Sequence, residues 1–143
     1  MTPPVDRETV HATCVAWSDR AVLILGKSGS GKSALGIELM ALGCHLVADD
    51  RVLLERDGER VIAHCPETID GLIEARGIGI LRAEPTGPTA VALVVDLDQD
   101  EAARLPPHRK ITQLGCDLPL ISRIAGAHFA PAILQMLKAG RSE

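Results

Sequence analysis

The sequence is poor in aromatic residues: among its 143 positions, Trp17 and Phe129 are the only aromatic side chains, and tyrosine is absent. Proteins that hold single-stranded nucleic acid stack its bases on aromatic side chains. The chain also has no excess of basic residues, because its 15 lysines and arginines are outnumbered by 19 aspartates and glutamates. These absences argue against nucleic acid and anionic membranes as partners. They also predict a core of aliphatic side chains.

Cysteine-based sites and long apolar runs are missing as well. No apolar run approaches the length of a membrane span, and the N-terminus has no apolar signal region. The four cysteines are far apart and form no C-x-x-C pair, which argues against a zinc site or a disulfide framework and predicts free thiols in a reducing cytosol; they are Cys14, Cys44, Cys65 and Cys116. The sequence therefore predicts a cytoplasmic protein that does not associate with membranes.

Hydrophobic patterning and turn signals predict a single α/β domain over residues 1–143, without an internal repeat. Residues 1–8 are polar and contain two prolines, which predicts a loose N-terminal lead-in. Helices are predicted at 34–42 and 130–138, and the stretch 98–110 is predicted to be a mobile surface loop or a short helix. Extended structure is predicted at 9–17, 21–25, 45–48, 52–55, 60–65, 72–76, 90–97 and 111–124.

The clearest motif lies between the predicted strand at 21–25 and the helix at 34–42. It matches G-x-x-x-x-G-K-[ST], the phosphate-binding P-loop, at every fixed position. Such a loop needs a strand before it and a helix after it, and both are predicted here. The alternative is a glycine-rich turn without a ligand. The expected nucleotide-binding residues are Gly26, Lys27, Ser28, Gly29, Ser30, Gly31, Lys32 and Ser33.

The chemistry expected of this loop is electrostatic. Glycines allow backbone conformations that are closed to other residues, so that successive N–H groups point at one anion. The helix that follows adds the positive end of its dipole. Lys32 is then expected to reach the β- and γ-phosphates of a nucleotide, and the Ser33 hydroxyl to bind Mg²⁺.

Asp49 and Asp50 follow the apolar residues 46–48 directly. We expect a buried strand that ends at these residues and presents both carboxylates at its C-terminal edge, where open α/β sheets place their ligands. Two adjacent carboxylates suit two tasks, holding a hydrated Mg²⁺ and accepting a proton from an attacking hydroxyl. The alternative is a helix cap or a turn.

Three further residues have both a functional and a structural interpretation. Glu74 and Arg76 are two residues apart on a predicted strand and therefore share a face. They form either a plain surface ion pair or a metal ligand beside a phosphate clamp. His11 lies in the predicted strand at 9–17, and a lone histidine in a strand is more often structural than catalytic.

Three linked stretches resemble the catalytic domain of the HPr kinase/phosphorylase family. His11 stands fifteen residues before Gly26, the first residue of the P-loop. Residues 43–52, Gly-Cys-His-Leu-Val-Ala-Asp-Asp-Arg-Val, are similar to the family's G-H-x-L-V-A-D-D-x-V. Residues 72–80, Leu-Ile-Glu-Ala-Arg-Gly-Ile-Gly-Ile, are similar to its L-x-E-x-R-G-x-G-I signature. The combination is far more specific than a P-loop alone.

The resemblance implies a P-loop kinase domain of the HPr kinase and PEP carboxykinase-like type, with a mixed central sheet and flanking helices. It implies an ATP- and Mg²⁺-dependent kinase whose substrate is a serine of HPr, the small carrier protein of the phosphotransferase system. In that family a second activity removes the phosphate by phosphorolysis and yields pyrophosphate. The resemblance also implies a homo-oligomer, a hexamer.

Site roles are carried over from the family by position. Lys32 is expected to contact the β- and γ-phosphates, and Ser33 and Glu74 to bind Mg²⁺. Asp50 is expected to be the base in phosphorylation and the acid in the reverse reaction.

The remaining carried-over roles support that set. His11 and Asp49 are expected to assist Asp50, and Arg76 to stabilise charge on the phosphate. Arg104, within residues 101–105, is expected to correspond to the catalytic arginine of the family's D-R-L motif.

The sequence departs from the family pattern at several points. Family members usually carry a separate N-terminal domain, so the sequence resembles the short form of α-proteobacteria. Lys27 and Ala34 stand where the family often has aspartate and glutamate. Residues 123–128 replace a basic P-x-R-P-G-R-N segment that bears on phosphorolysis and partner docking. Two other functions remain open, a P-loop kinase of a small-molecule hydroxyl and a non-catalytic regulator that binds nucleotide.

Overall fold

The computed structural model describes residues 6–66 and 71–143, so most of the N-terminal lead-in expected at 1–8 lies outside the described residues. The described elements are, in chain order, strands β1 (Arg7–Trp17) and β2 (Arg20–Leu25), helix α1 (Lys32–Ala41), strands β3 (His45–Asp57), β4 (Arg60–His64), β5 (Leu72–Ala75), β6 (Gly79–Arg82), β7 (Thr89–Asp100), β8 (Arg109–Gln113) and β9 (Cys116–Arg123), and helix α2 (Phe129–Ala139).

The main sheet has seven strands in the order β2-β1-β3-β4-β7-β9-β8. Strand β2 pairs antiparallel with β1 and parallel with β7, and β7 also pairs antiparallel with β4. The strands from β2 through β1, β3 and β4 to β7 therefore close into a ring, and β9 and β8 extend the sheet beyond it. This confirms the predicted α/β fold with a mixed central sheet. Strands β5 and β6 form a separate two-stranded hairpin.

The sheet separates two aliphatic cores, because successive side chains of a strand point to opposite faces. Along β2, Ala21 and Leu23 belong to the core inside the ring, whereas Val22 and Ile24 pack on the other side with the helices. Neither aromatic residue is among the fully buried side chains, so the expectation of an aliphatic core is confirmed for the described residues. Neither α1 nor α2 is long and apolar enough to cross a membrane.

The helices cover the core outside the ring and end within one residue of the predicted ends. Helix α1 begins at Lys32, within the P-loop motif, and buries Leu35 and Leu39. Helix α2 ends at Ala139, and its C-cap residue Gly140 has a positive φ of 76°, which suits glycine. The two helices share one apolar cluster with β1, β2 and β7, and this packing fixes the start of α1 against the sheet.

The strand expected to end at Asp49 and Asp50 is longer, and this part of the sequence analysis was wrong. Strand β3 continues through both aspartates to Asp57 and forms a hairpin with β4. Since β3 pairs antiparallel with β1 and β4, the rule for the edge of a parallel sheet does not apply to it. The two carboxylates therefore lie in the middle of a strand.

The stretch 98–110 is also more regular than predicted. Strand β7 continues to Asp100, β8 begins at Arg109, and the connection between them contains no helix. The Arg109 guanidinium binds the Glu101 carboxylate with both arms, at 3.0 and 3.1 Å, and closes the connection at its base. This hydrogen bonding lowers the pKa of the Glu101 carboxyl below its usual value. The loop therefore covers only residues 101–108.

Candidate active site

One cavity of about 560 Å³ is lined by most of the predicted site residues. It lies between the P-loop, strands β1 and β3, and the β5–β6 hairpin. Its predicted lining residues are His11, Ser28, Gly29, Gly31, Lys32, Ser33, Asp49, Asp50, Glu74 and Arg76. Four predicted site residues do not line the cavity: Gly26, Lys27 and Ser30 belong to the P-loop beside it, whereas Arg104 is exposed on the connection 101–108.

The P-loop has the backbone conformation that its glycines were expected to permit. Gly29 and Gly31 have φ values of 83° and 100°, a region that L-residues rarely adopt. At Gly26 the constraint is space, since a Cβ atom there would collide with Ser30 Oγ. Lys32 curls back over the loop, where Nζ donates to the carbonyl oxygens of Gly26 at 2.8 Å and Lys27 at 3.1 Å.

The buried ammonium group of Lys32 fits a polyphosphate ligand. Lys32 is only 8% exposed, and within the described ranges its ammonium group contacts backbone carbonyls and forms no ion pair with a carboxylate. The Ser30 hydroxyl is buried and has no hydrogen-bond partner among the residues that the structure describes. A buried cation and an unpaired hydroxyl are costly unless a ligand satisfies them. An anionic ligand at the N-terminus of α1 would satisfy the Lys32 ammonium group, which lines the cavity, whereas Ser30 does not line it.

Asp49 connects three structural elements through its buried carboxylate. Thr13 Oγ1 in β1 donates to Oδ1 at 2.7 Å, and Ser33 Oγ in α1 donates to the same oxygen at 2.8 Å. The backbone N–H of Glu74 in β5 donates to Oδ2 at 3.2 Å. Asp49 therefore fixes the position of Ser33 and Glu74, the two residues predicted to bind Mg²⁺.

Asp50 presents the second carboxylate of the pair to the same cavity. Neighbouring side chains of a regular strand point to opposite faces, yet both aspartates line this cavity. The φ of Asp50 is 72°, a left-handed conformation that interrupts the alternation. Its Oδ1 lies 2.8 Å from His11 Nε2, and both side chains are more than half exposed. The structure thus separates a buried carboxylate that holds the site together from one that is accessible in the cavity.

Metal binding at this site would use few protein ligands. Among the described residues there is no group of three or more His, Cys, Asp or Glu side chains that could hold a metal ion. Mg²⁺ usually takes only one or two protein ligands and keeps water and phosphate oxygens for the rest. The Ser33 hydroxyl and the Glu74 carboxylate supply hard oxygen donors beside the P-loop, so the residues present fit such an ion.

Comparison with known proteins identifies the family to which the chain belongs. Residues 5–103 match the family model described as the HPr Serine kinase C-terminal domain, and they include the P-loop, both aspartates and the β5–β6 hairpin. The chain belongs to the HPr serine kinase family.

Individual family relatives match over most of the chain. It is 38% identical to the HPr kinase/phosphorylase of Acidovorax sp. strain JS42, over 87% of the chain and 44% of that protein. It is 41% identical to the HPr kinase/phosphorylase of Bordetella pertussis, over 78% of the chain and 40% of that protein. The chain thus spans about two-fifths of the length of these curated relatives.

A solved structure shares the fold. The structure of the Hpr(Ser) kinase/phosphatase from Coxiella burnetii superimposes with a TM-score of 0.74 at 25% sequence identity. The likeness covers 92% of this chain and 88% of that one. It supports the kinase-type α/β architecture expected from the family resemblance.

Three residues that contact the predicted site residues were missed in the sequence. Thr13 binds Asp49, and its position two residues after His11 on β1 could have placed it on the same face. Asp98 accepts the Lys27 N–H at 3.0 and 3.1 Å, and its place just after an apolar run was the same signal that marked the Asp49–Asp50 pair. Arg123 carried no signal.

Arg123 holds the P-loop from the end of β9, beyond the residues that match the family model. Its Nε donates to the Leu97 carbonyl at 3.2 Å, and its Nη2 donates to the Ser30 carbonyl. In a trans peptide the carbonyl of one residue and the N–H of the next point in opposite directions. By holding the Ser30 carbonyl outward, Arg123 orients the Gly31 N–H away from the guanidinium. This contact restrains the orientation of the Ser30–Gly31 peptide in the P-loop.

Proposed function

We propose that the chain is an ATP- and Mg²⁺-dependent kinase that phosphorylates HPr on a serine hydroxyl. The observation that carries the proposal is the accessible Asp50 carboxylate, hydrogen-bonded to His11 and facing the same cavity as the P-loop. A phosphate-binding loop alone predicts a bound nucleotide. A carboxylate across the cavity from it predicts an acceptor hydroxyl. The names of the family relatives support HPr as the protein that bears this hydroxyl.

The chain's own residues have separate tasks in this reaction. The P-loop N–H groups and Lys32 would hold the β- and γ-phosphates, and Ser33 and Glu74 would hold Mg²⁺. When bound, Mg-ATP supplies the phosphoryl group and the metal charge that balances it. Asp50 accepts the proton of the serine hydroxyl, and His11 keeps the carboxylate oriented toward it. Arg76 lies beside the P-loop, about 4.0 Å from where a Cβ of Gly29 would be, and would stabilise charge on the phosphate.

Phosphorolysis transfers the phosphoryl group away from serine, to inorganic phosphate instead of ADP, and forms the second part of the proposal. An oxygen of inorganic phosphate in the P-loop would attack the phosphoserine phosphorus, and the bond from phosphorus to the serine oxygen would break as the bond of pyrophosphate forms. The serine oxygen would take a proton from Asp50, and Asp50 would recover one from the attacking phosphate. The relatives' names, which pair kinase with phosphorylase, support this activity.

The test is a transfer assay with purified HPr and Mg-ATP, in which mass spectrometry locates the phosphoserine. Lys32→Met should lower the rate about 10²-fold or more, because the charge at the transferred phosphate is lost. The matched control is Lys110→Met, since Lys110 is 72% exposed and outside the cavity. Turnover with a metabolite and none with HPr would point to a small-molecule kinase. ATP binding without transfer to any acceptor would point to a regulator.

Replacing Arg123 should weaken ATP binding without removing the chemistry. We expect Arg123→Gln to raise the Kd for ATP about tenfold, since a charge-assisted hydrogen bond contributes about 1.5–3 kcal/mol. Arg123→Lys keeps the charge but loses the two-armed contact, so its Kd should lie between those of Arg123→Gln and the unaltered protein. Calorimetric titration measures these constants, with Arg60→Gln as a control at an exposed arginine of β4. Unchanged binding in Arg123→Gln would contradict the orienting role.

A further inference from the structure

Large apolar side chains are exposed mainly on one hairpin of the molecule. Among the described residues six large hydrophobic side chains are exposed, and four of them lie within residues 72–81, on β5, β6 and the turn between them. Isolated exposed apolar residues are common on protein surfaces, but a contiguous group of them marks an interaction site. The strongest exposure is at Ile78, with 80%, and at Ile80, with 64%.

Strand register shows which of these side chains share a face. Leu72 pairs with Arg82, and Glu74 pairs with Ile80. Side chains of directly paired residues in antiparallel strands lie on the same side of the sheet. Leu72 and Ile80 therefore accompany Glu74 on the outer face, whereas Ile73 is buried on the inner face.

The turn of the hairpin connects this outer face to the candidate active site. Ile78 lines the catalytic cavity while most of its surface is exposed. The same cavity is lined by Glu74 and Arg76 from the beginning of the turn. An apolar strip of Leu72, Ile78 and Ile80, here called the hairpin surface, thus runs from the outer face of the hairpin to the cavity rim.

We propose that the hairpin surface docks the protein substrate through an apolar patch next to the acceptor serine. This inference rests on the proposed function, because it concerns the partner of that same site. A protein that places a serine hydroxyl into the cavity must cover the cavity rim, and Ile78 forms part of that rim. A metabolite bound inside the cavity would leave Ile80 and Leu72 in water. The hairpin surface therefore favours a folded protein with exposed apolar side chains beside its serine.

The size of the hairpin surface fits a transient partner better than a second copy of the chain. Three aliphatic side chains expose on the order of a few hundred Å². A stable interface buries about 1,600 Å² in total, whereas transient encounters of a kinase with its substrate bury less. The area alone is too small to hold a permanent dimer.

The experiment measures transfer to HPr by Ile80→Thr and Leu72→Thr, which keep or adopt a β-branched side chain in the strand but remove apolar surface. We expect each variant to raise the KM for HPr about five- to tenfold, with the KM for ATP unchanged. The control is Leu105→Thr, because Leu105 is 67% exposed on the connection 101–108, away from the hairpin. It should leave both constants unchanged.

The outcomes separate this proposal from the proposed function. If the unaltered protein transfers nothing to HPr, the proposed function fails, and the hairpin proposal fails with it. If the unaltered protein is active and the KM for HPr is the same in both hairpin variants, only the docking proposal is overturned. Sedimentation velocity, run in parallel, tests whether a second copy of the chain binds the hairpin surface instead. A change of oligomeric state at an unaltered KM for HPr would assign the surface to a second copy and would also overturn the proposal.

Discussion

Asp50→Asn should lose phosphoryl transfer to HPr while it still binds ATP. In the proposed function this accessible carboxylate is the base, and an amide of the same shape cannot take the serine proton. Proton transfer by a positioned side chain contributes about 10²–10⁴-fold to a rate, so kcat should fall by that factor. Single-turnover assays with HPr would measure the loss, and calorimetry would confirm that the Kd for ATP is retained.

The structure indicates that this substitution should leave the fold intact. The Asp50 side chain is 68% exposed, so its replacement removes no buried contact. Its φ of 72° is a conformation that asparagine adopts more readily than most residues. The fold and the P-loop should therefore be unchanged. Transfer at the original rate in Asp50→Asn would show that Asp50 does not act as the base, and it would leave His11 as the next group to test.

Local signals explain which parts of the structure could be predicted. The P-loop, the β1–β2 hairpin and the β3–β4 hairpin depend on residues that are close in sequence, such as the Asp57–Gly58 turn. Helix α2 and its end at Gly140 follow from apolar periodicity and a terminal glycine. The family resemblance then supplied the grouping of His11, the aspartates and Glu74, which spacing alone does not give.

Contacts between distant segments explain what was missed. The Arg123 guanidinium binds Ser30, 93 residues earlier in the chain, and no residue pattern near either of them indicates the contact. The closure of the sheet depends on the pairing of β2 with β7, which is likewise a contact between distant segments.

The error at β3 had a different cause. Aspartates after apolar residues resemble the end of a strand, and the left-handed conformation of Asp50 is visible only in the folded backbone.

The two adjacent carboxylates of β3 differ in exposure and in the number of hydrogen bonds that they accept. Asp50 is exposed and has one side-chain partner, His11. Asp49 is 8% exposed and accepts hydrogen bonds from Thr13, Ser33 and the Glu74 backbone. The same substitution at the two positions should thus have different consequences. Under the proposed function we expect the loss at Asp50 to be catalytic, and the loss at Asp49 to be first structural and only then catalytic.

Asp49→Asn should lower the free energy of unfolding by about 1–3 kcal/mol, the cost of leaving a buried polar group unsatisfied. The amide has only one acceptor oxygen. If that oxygen keeps the bonds from Thr13 and Ser33, the amide NH₂ faces the Glu74 N–H, and two donors oppose each other. If the amide is flipped, the oxygen serves Glu74, and NH₂ faces both hydroxyls. Either orientation leaves the link between β3 and its neighbours incomplete.

Urea unfolding provides the measurement, and Asp50→Asn provides the matched control. Trp17 is the only tryptophan of the chain. The Nζ atom of Lys138 in α2 lies over the Trp17 ring, 5.6 Å from its centre. The fluorescence of Trp17 therefore reports on packing between β1 and α2. Asp50→Asn should change stability by less than about 0.5 kcal/mol, as exposed substitutions usually do. Equal stability of the two variants would contradict the role of Asp49 as the link. Because Ser33 and Glu74 lose their common anchor, Asp49→Asn should also weaken Mg²⁺-dependent binding of ATP, which Asp50→Asn should retain.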